Sequence, residues 1–223
     1  MSIRHRFDRL GRLGPRLIRL YAGLSLYGAS SALLVAAGLG LGPWNVLHQG
    51  LAELTGLTIG TVSIVVGAAV LLLWIPLRQR PGLGTVSNVL VVGLAMDGTL
   101  ALLPAVHSLL VRVPLLAAGV VLNGAATGLY IGARLGPGPR DGLMTGLHRR
   151  TGHSIRLMRT ALEVAVVSVG FTLGGTVGIG TVLYAVAIGP LAQFFLRVFD
   201  VPAASEGSTV VATGTPARAI LRR

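Results

Sequence analysis

Two acids stand inside apolar runs: Asp97 in "VVGLAMDGTLALL" and Glu163 in "RTALEVAVV". A charged carboxylate at the centre of a bilayer costs about 2.5–3.5 kcal/mol on insertion scales, so such groups face a bundle interior and mark ion or substrate paths. Asp97 has no basic residue within a helical turn and is the leading candidate for a proton or cation site. Glu163 has Arg159 one turn before it, and a local ion pair competes with a functional role. Asn45, Asp141, Asn88, Asn123 and Gln193 complete a set of polar groups that could line a pathway. For each amide the competing reading is an interhelical hydrogen bond. Catalysis has no such foothold. There is no cysteine, no G-x-S-x-G and no phosphate loop. His48 and Glu53 are five apart, as are His148 and His153, which misses the i, i+4 spacing of a helical metal pair. Neither an enzyme nor a metal or cofactor site is expected.

The elements that must carry these groups follow from composition. Apolar residues make up 52% of the chain and charged residues 12%, with a mean hydropathy of +0.77. A soluble domain spends about a quarter of its residues on charge. The net charge of +12 is all arginine, but it is crowded between apolar runs, which argues against nucleic acid as a partner. The chain reads as an all-α polytopic membrane protein.

Six spans are expected, at about 20–41, 58–77, 83–104, 114–134, 156–174 and 179–199, each near the length that crosses a hydrocarbon core. Residues 1–19 form a basic leader, helical and suited to an anionic lipid face. Residues 200–223 read as a disordered tail. Alternate loops are basic, which places both termini in the cytoplasm of a bacterial inner membrane by the positive-inside rule. Trp44 and Trp74 are expected at the interfaces as aromatic anchors.

"GLGPWNVLHQGLAELTG" at 40–56 returns as "GPGPRDGLMTGLHRRTG" at 136–152. Across residues 40–93 and 136–189 the match at an offset of 96 includes Gly42/Gly138, Pro43/Pro139, Gly56/Gly152 and the run Gly84-Thr85-Val86 against Gly180-Thr181-Val182. Upstream, Gly28, Ala32, Ala36 and Gly40 lie four apart, as do Gly124, Gly128, Gly132 and Gly136, a spacing that lets helices approach closely in lipid. Each unit, 20–104 and 105–199, holds three spans. An odd number makes the second copy enter the membrane in the opposite sense, the build of many secondary transporters. The Gly-Pro segments are too short to cross and read as re-entrant or interfacial helices. Asn45 and Asp141 occupy equivalent positions in them, either at the two mouths of a pathway or as helix caps.

The segments "GPWNVLHQGL", "PLRQRPGLGTVSN", "GPRDGLMTGLHRRTG" and "LGGTVGIGTVLYAVAIGPLAQ" resemble the YczE/YyaS/YitT group of bacterial integral membrane proteins, in its YczE-like branch, over residues 20–197. The resemblance implies a small inner-membrane protein with transport or export as its suggested activity. It also implies an acid at the position of Asn45, which this chain has lost, while Asp141 is retained. The expected function is a small-solute transporter or exporter working by alternating access. The alternative is an accessory protein that supports assembly of another complex. The expected partners are the bilayer, an unidentified solute, a coupling proton or cation, and a second copy of the chain as a homodimer.

Overall fold

A computed structural model describes the backbone of residues 3–199 and the side chains of residues 13–199. The predicted tail at 200–223 lies outside the described residues. Within them the chain forms eight helices and no strand: α1 (Ile3–Ala37), α2 (Pro43–Thr55), α3 (Ile59–Leu73), α4 (Leu83–Leu102), α5 (Leu109–Gly132), α6 (Pro139–Thr151), α7 (Ile155–Thr172) and α8 (Ile179–Phe199). Four stretches are long and apolar enough to cross a membrane, namely Leu13–Ala37, α4, α5 and α8. A fifth arises if α2 and α3, bent by 112° at their junction, count as one broken span. α7 has the length, but Arg156, Arg159 and Glu163 lower its hydropathy. The leader is no separate helix; its backbone runs without a break into the first span.

The short helices have the same boundaries for the same reasons. α2 and α6 each begin after an extended glycine, Gly42 or Gly138, with proline at the first turn, where its missing N–H costs nothing. Each ends on a left-handed glycine, Gly56 or Gly152.

The long helices pack by reciprocal contacts at the 96-residue offset. α1 and α5 run antiparallel through the centre. A side chain on Gly23 of α1 would strike the Tyr130 backbone of α5, and one on Gly119 of α5 would strike Leu34 of α1. Gly28 abuts Ala95 and Met96 of α4, while its equivalent Gly124 abuts Leu191 and Ala192 of α8. Gly128 meets Phe195. The small-residue rows therefore do serve close packing at Gly28, Ala32, Gly124 and Gly128, and Ala36 is partly buried. They stop short of their predicted ends. A side chain on Gly132 would meet nothing within 4 Å. Gly40 and Gly136 lie beyond the helices with φ of +117° and +126°, a backbone that needs glycine.

The first span ends at Ala37, earlier than expected, because another residue takes its terminal carbonyls. Arg112 donates from Nε to Ala37 and from a terminal nitrogen to Gly38, both at 2.6 Å. Arg16 does the same at the end of α5, to Ala133 at 2.9 Å and Arg134 at 2.7 Å. Arg16 and Arg112 are 96 apart, so the repeat reaches into the leader. Arg112, in the first turn of α5, is a C-terminal cap for α1. Its removal strips two charge-assisted bonds and a favourable dipole contact from α1. We expect Arg112→Ala to cost about 2 kcal/mol. Thermal unfolding of the purified chain should show it, with Arg112→Lys restoring less than half, since an ammonium cannot fork across two carbonyls.

Trp74 is not an interfacial anchor. It is 2% exposed, and its indole N–H donates to the Pro139 carbonyl at 3.0 Å. It is the largest side chain of a small core with Val70 and Leu143 where α3 meets α6. Trp44 lies half-buried at the centre of the molecule.

Candidate functional site

The starts of α2 and α6 meet at the centre. Trp44 and Arg140 are equivalent positions of the two copies, and they touch: the guanidinium carbon lies 4.8 Å from the centre of the indole. Asn45 and Asp141 follow them. The structure thus brings Asn45 and Asp141 to one place, not to opposite mouths. Neither is the N-cap, which is Gly42 or Gly138. The Asp141 carboxylate accepts the Tyr130 hydroxyl at 3.1 Å and a backbone bond from Gly138.

This junction is the wall between two cavities. One, of about 70 Å³, is bounded by α3, α4 and α6 and includes Ser63, Gly67, Asn88, His48, Arg140 and Asp141. The other, of about 260 Å³, is bounded by α7, α8 and α2 and includes Arg159, Glu163, Tyr184, Gln193, Trp44 and Asn45. These linings correspond through the repeat: Ser63 with Arg159, Gly67 with Glu163, Asn88 with Tyr184, Trp44 with Arg140. Tyr27, Trp44, Tyr130, Arg140 and Asp141 line both.

The two cavities differ because one helix seam is shut and the other is not. α3 packs directly on α4, with Gly60 against the Gly93 carbonyl, whereas α7 makes no comparable contact with α8. A side chain on Gly189, the equivalent of Gly93, would meet nothing within 4 Å. Asp97 clasps the shut seam. Its carboxylate accepts from Thr58 Oγ1 at 2.5 Å, Gly60 N at 2.8 Å and Thr61 N at 3.1 Å, so it satisfies the free N–H groups at the start of α3. It sits five residues before α4 ends, about 8 Å along the axis, and faces an open groove of about 550 Å³ with Glu53. That position is near a helix end, not deep in the span as the sequence suggested. Gln193, its equivalent on α8, is exposed and holds no helix start.

A family model described as a family of unknown function, DUF6198, matches residues 14–197. The chain belongs to this family. Among similar DUF6198-like chains, an uncharacterized protein of Haemophilus influenzae is 45% identical over 81% of this chain and 83% of its own. The uncharacterized membrane protein YczE of Bacillus subtilis is 32% identical over 79% of this chain and 83% of its own. The uncharacterized protein YyaS of the same organism is 25% identical over 80% and 90%. No solved structure matches this DUF6198 chain. The YczE-like resemblance is correct, and the chain is a multi-pass membrane protein.

Of the residues singled out by sequence, Glu163 and Arg159 pair at 2.9 Å on the rim of the open cavity. Asn123 is fully buried as an interhelical tie. It donates to Ser30 at 2.9 Å and Ser31 at 3.3 Å, and accepts from the Tyr184 hydroxyl at 2.9 Å. Asn88 lines the smaller cavity and Gln193 the larger one. Sequence reasoning missed Arg140, His48 and the three tyrosines. Arg140 carried a signal: the aligned copies set an arginine against a tryptophan, and equivalent positions next to a pseudo-twofold axis touch each other. The tyrosines carried none, because an isolated tyrosine in an apolar run looks like core.

Proposed function

We propose that this DUF6198 chain is a carrier for a small solute in a bacterial inner membrane, working by alternating access. In this reading six helices cross the bilayer as two inverted units, α1 with α3 and α4, then α5 with α7 and α8, with both termini in the cytoplasm. α2 and α6 are re-entrant and start at the substrate site. One observation carries the proposal. Two equivalent cavities share a polar wall, and they differ in volume, about 70 Å³ beside the packed α3–α4 seam against about 260 Å³ beside the unpacked α7–α8 seam. The wider cavity is lined by the larger side chains, Arg159 and Glu163 against Ser63 and Gly67, so the difference comes from helix spacing and not from side-chain size. A repeat protein with one seam shut and its equivalent open has a second conformation available with the seams exchanged, which is how inverted repeats alternate.

In that second state Leu157 and Gln193 take up the spacing that Thr61 and Asp97 have here. The chain has no cysteine, so a Leu157→Cys/Gln193→Cys pair reports cleanly. We expect disulfide formation across the α7–α8 seam in proteoliposomes, and a loss of solute flux when it forms. A pair that never cross-links, with no flux across a broad solute screen, overturns the carrier. It would favour the accessory role, in which the seams are fixed.

A further inference from the structure

Four charged side chains line the two cavities, and three are already engaged. Glu163 holds Arg159, and Asp141 holds the Tyr130 hydroxyl and the Gly138 N–H. Arg140 is the exception. Among the described residues it rests on the Trp44 ring and makes no hydrogen bond or ion pair. An aromatic face holds a guanidinium without using its N–H groups, so a fork of donors is left facing the cavities.

Two further features lie at the same wall. His48 is 1% exposed beside the smaller cavity, and its Nδ1 has no hydrogen-bond partner. A buried ring nitrogen without a partner is costly, so a ligand that supplies one is favoured there. α2 also begins here, with the partial positive charge of a helix start. On α6 that charge is met by Asp141 in the first turn. On α2 the equivalent position is Asn45, which is neutral. The four charged side chains sum to zero, and Asp141 couples to Arg140 as well as to the α6 start. The positive charge left without an acid beside it is that of the α2 start, next to a guanidinium whose N–H groups are unspent. A cationic ligand fits poorly, because Arg140 already occupies the aromatic face such a ligand would seek.

We infer that Arg140, His48 and the start of α2 form a binding site for a small oxyanion, either a carboxylate or a phosphate group. A planar fork matches such oxygens, and Arg140 reaches them from either cavity. The cavity that Arg140, His48 and Trp44 at the start of α2 line together, of about 70 Å³, lies far below the size that takes drug-sized ligands, which points to a compact anion. That this anion is the transported solute rests on the carrier reading; that it binds does not.

The test uses the full chain in nanodiscs, titrated with sodium acetate, sodium phosphate and tetramethylammonium chloride at constant ionic strength, followed by tryptophan fluorescence and by the thermal midpoint. We expect a saturable response to acetate or phosphate and none to the cation. Which of the two anions binds more tightly separates a carboxylate solute from a phosphate. Arg140→Lys should weaken binding by at least tenfold, and Arg140→Gln should abolish it. A wild-type chain that responds to neither anion, or equally to the cation, overturns the site, and this arm needs no variant. An unchanged affinity in folded Arg140→Lys also overturns it. Binding without cross-linking of the 157/193 pair leaves the anion site standing and removes the carrier. Cross-linking without binding does the reverse.

Discussion

Asp97→Ala will unlatch the α3–α4 seam and, on the carrier reading, shift the protein toward the exchanged conformation. The carboxylate supplies three acceptor contacts to the start of α3; it shares the Thr61 N–H with the Thr58 hydroxyl, which lies at 3.2 Å, and takes the Gly60 N–H itself. Bonds to a charged acceptor contribute about 1.5–3 kcal/mol each when buried. Asp97 is half-exposed beside an open groove, so water replaces part of that, and about 2 kcal/mol in total is the reasonable scale, comparable with the upper end of helix N-caps. If the latch belongs to one state only, that energy converts to roughly thirtyfold in the equilibrium between them, at 1.4 kcal/mol per factor of ten. Measured as the rate of disulfide formation by the 157/193 pair, Asp97→Ala should therefore accelerate cross-linking by an order of magnitude or more. Asp97→Asn keeps one oxygen that can accept from Gly60 and should accelerate it only a few-fold. A variant that melts at lower temperature while its cross-linking rate stays at the wild-type value would make Asp97 a structural cap in both states. The contrast between alanine and asparagine matters as much as the size. A proton or cation site would lose function on neutralisation alone, whereas a latch responds to loss of the acceptor.

Much of this arrangement was legible in the residues. The Gly-Pro start and glycine end of 43–55 and 139–151 fixed both short helices, because proline at a first turn and a left-handed glycine after the last are local requirements. The repeat offset located the equivalent residues, and Gly84-Thr85-Val86 marks a joint that the structure shows twice. Gly84 N–H donates to Leu135 at 2.8 Å, and its equivalent Gly180 N–H donates to Leu39 at 2.8 Å. What the sequence hid was contact between copies. Arg16 reads as a leader charge and Arg112 as a loop charge until the antiparallel crossing of α1 and α5 puts each at the other helix's end. Asp97 reads as a lone buried acid because two of its three partners are backbone N–H groups 36 and 37 positions away, which leave no trace in residue type, and the third is a threonine hydroxyl 39 positions away. The asymmetry of the two seams is also invisible to pattern. Gly93 and Gly189 are both glycine, yet only Gly93 has a neighbouring helix against it.

The second large effect tests whether the repeat is written in the packing itself. α6 crosses α3 with Gly142 under the Trp74 ring, and α2 crosses α7 with Gly170 under the Val46–Leu47 backbone. Shifted by 96, Gly142 corresponds to Val46 and Trp74 to Gly170, so the two crossings exchange which helix carries the bulk. A side chain on Gly142 has no room, since its Cβ would overlap the indole. Gly142→Val should cost about 3 kcal/mol, at the upper end of overpacking. Trp74→Gly should cost about 3–5 kcal/mol from the cavity, and it strips the indole donor from the Pro139 carbonyl. The double variant rebuilds the valine-over-glycine pair that α2 and α7 already use. It should recover at least about 2 kcal/mol relative to the sum of the singles, well beyond the few tenths expected of independent sites. It should fall short of wild type, because the Pro139 carbonyl still lacks its donor. Midpoints of thermal aggregation for the four proteins give the coupling directly. Additive costs would mean that the two crossings only resemble each other in sequence and that the halves do not share a packing rule. Seam exchange needs that shared rule, since each half must be able to adopt the other's arrangement.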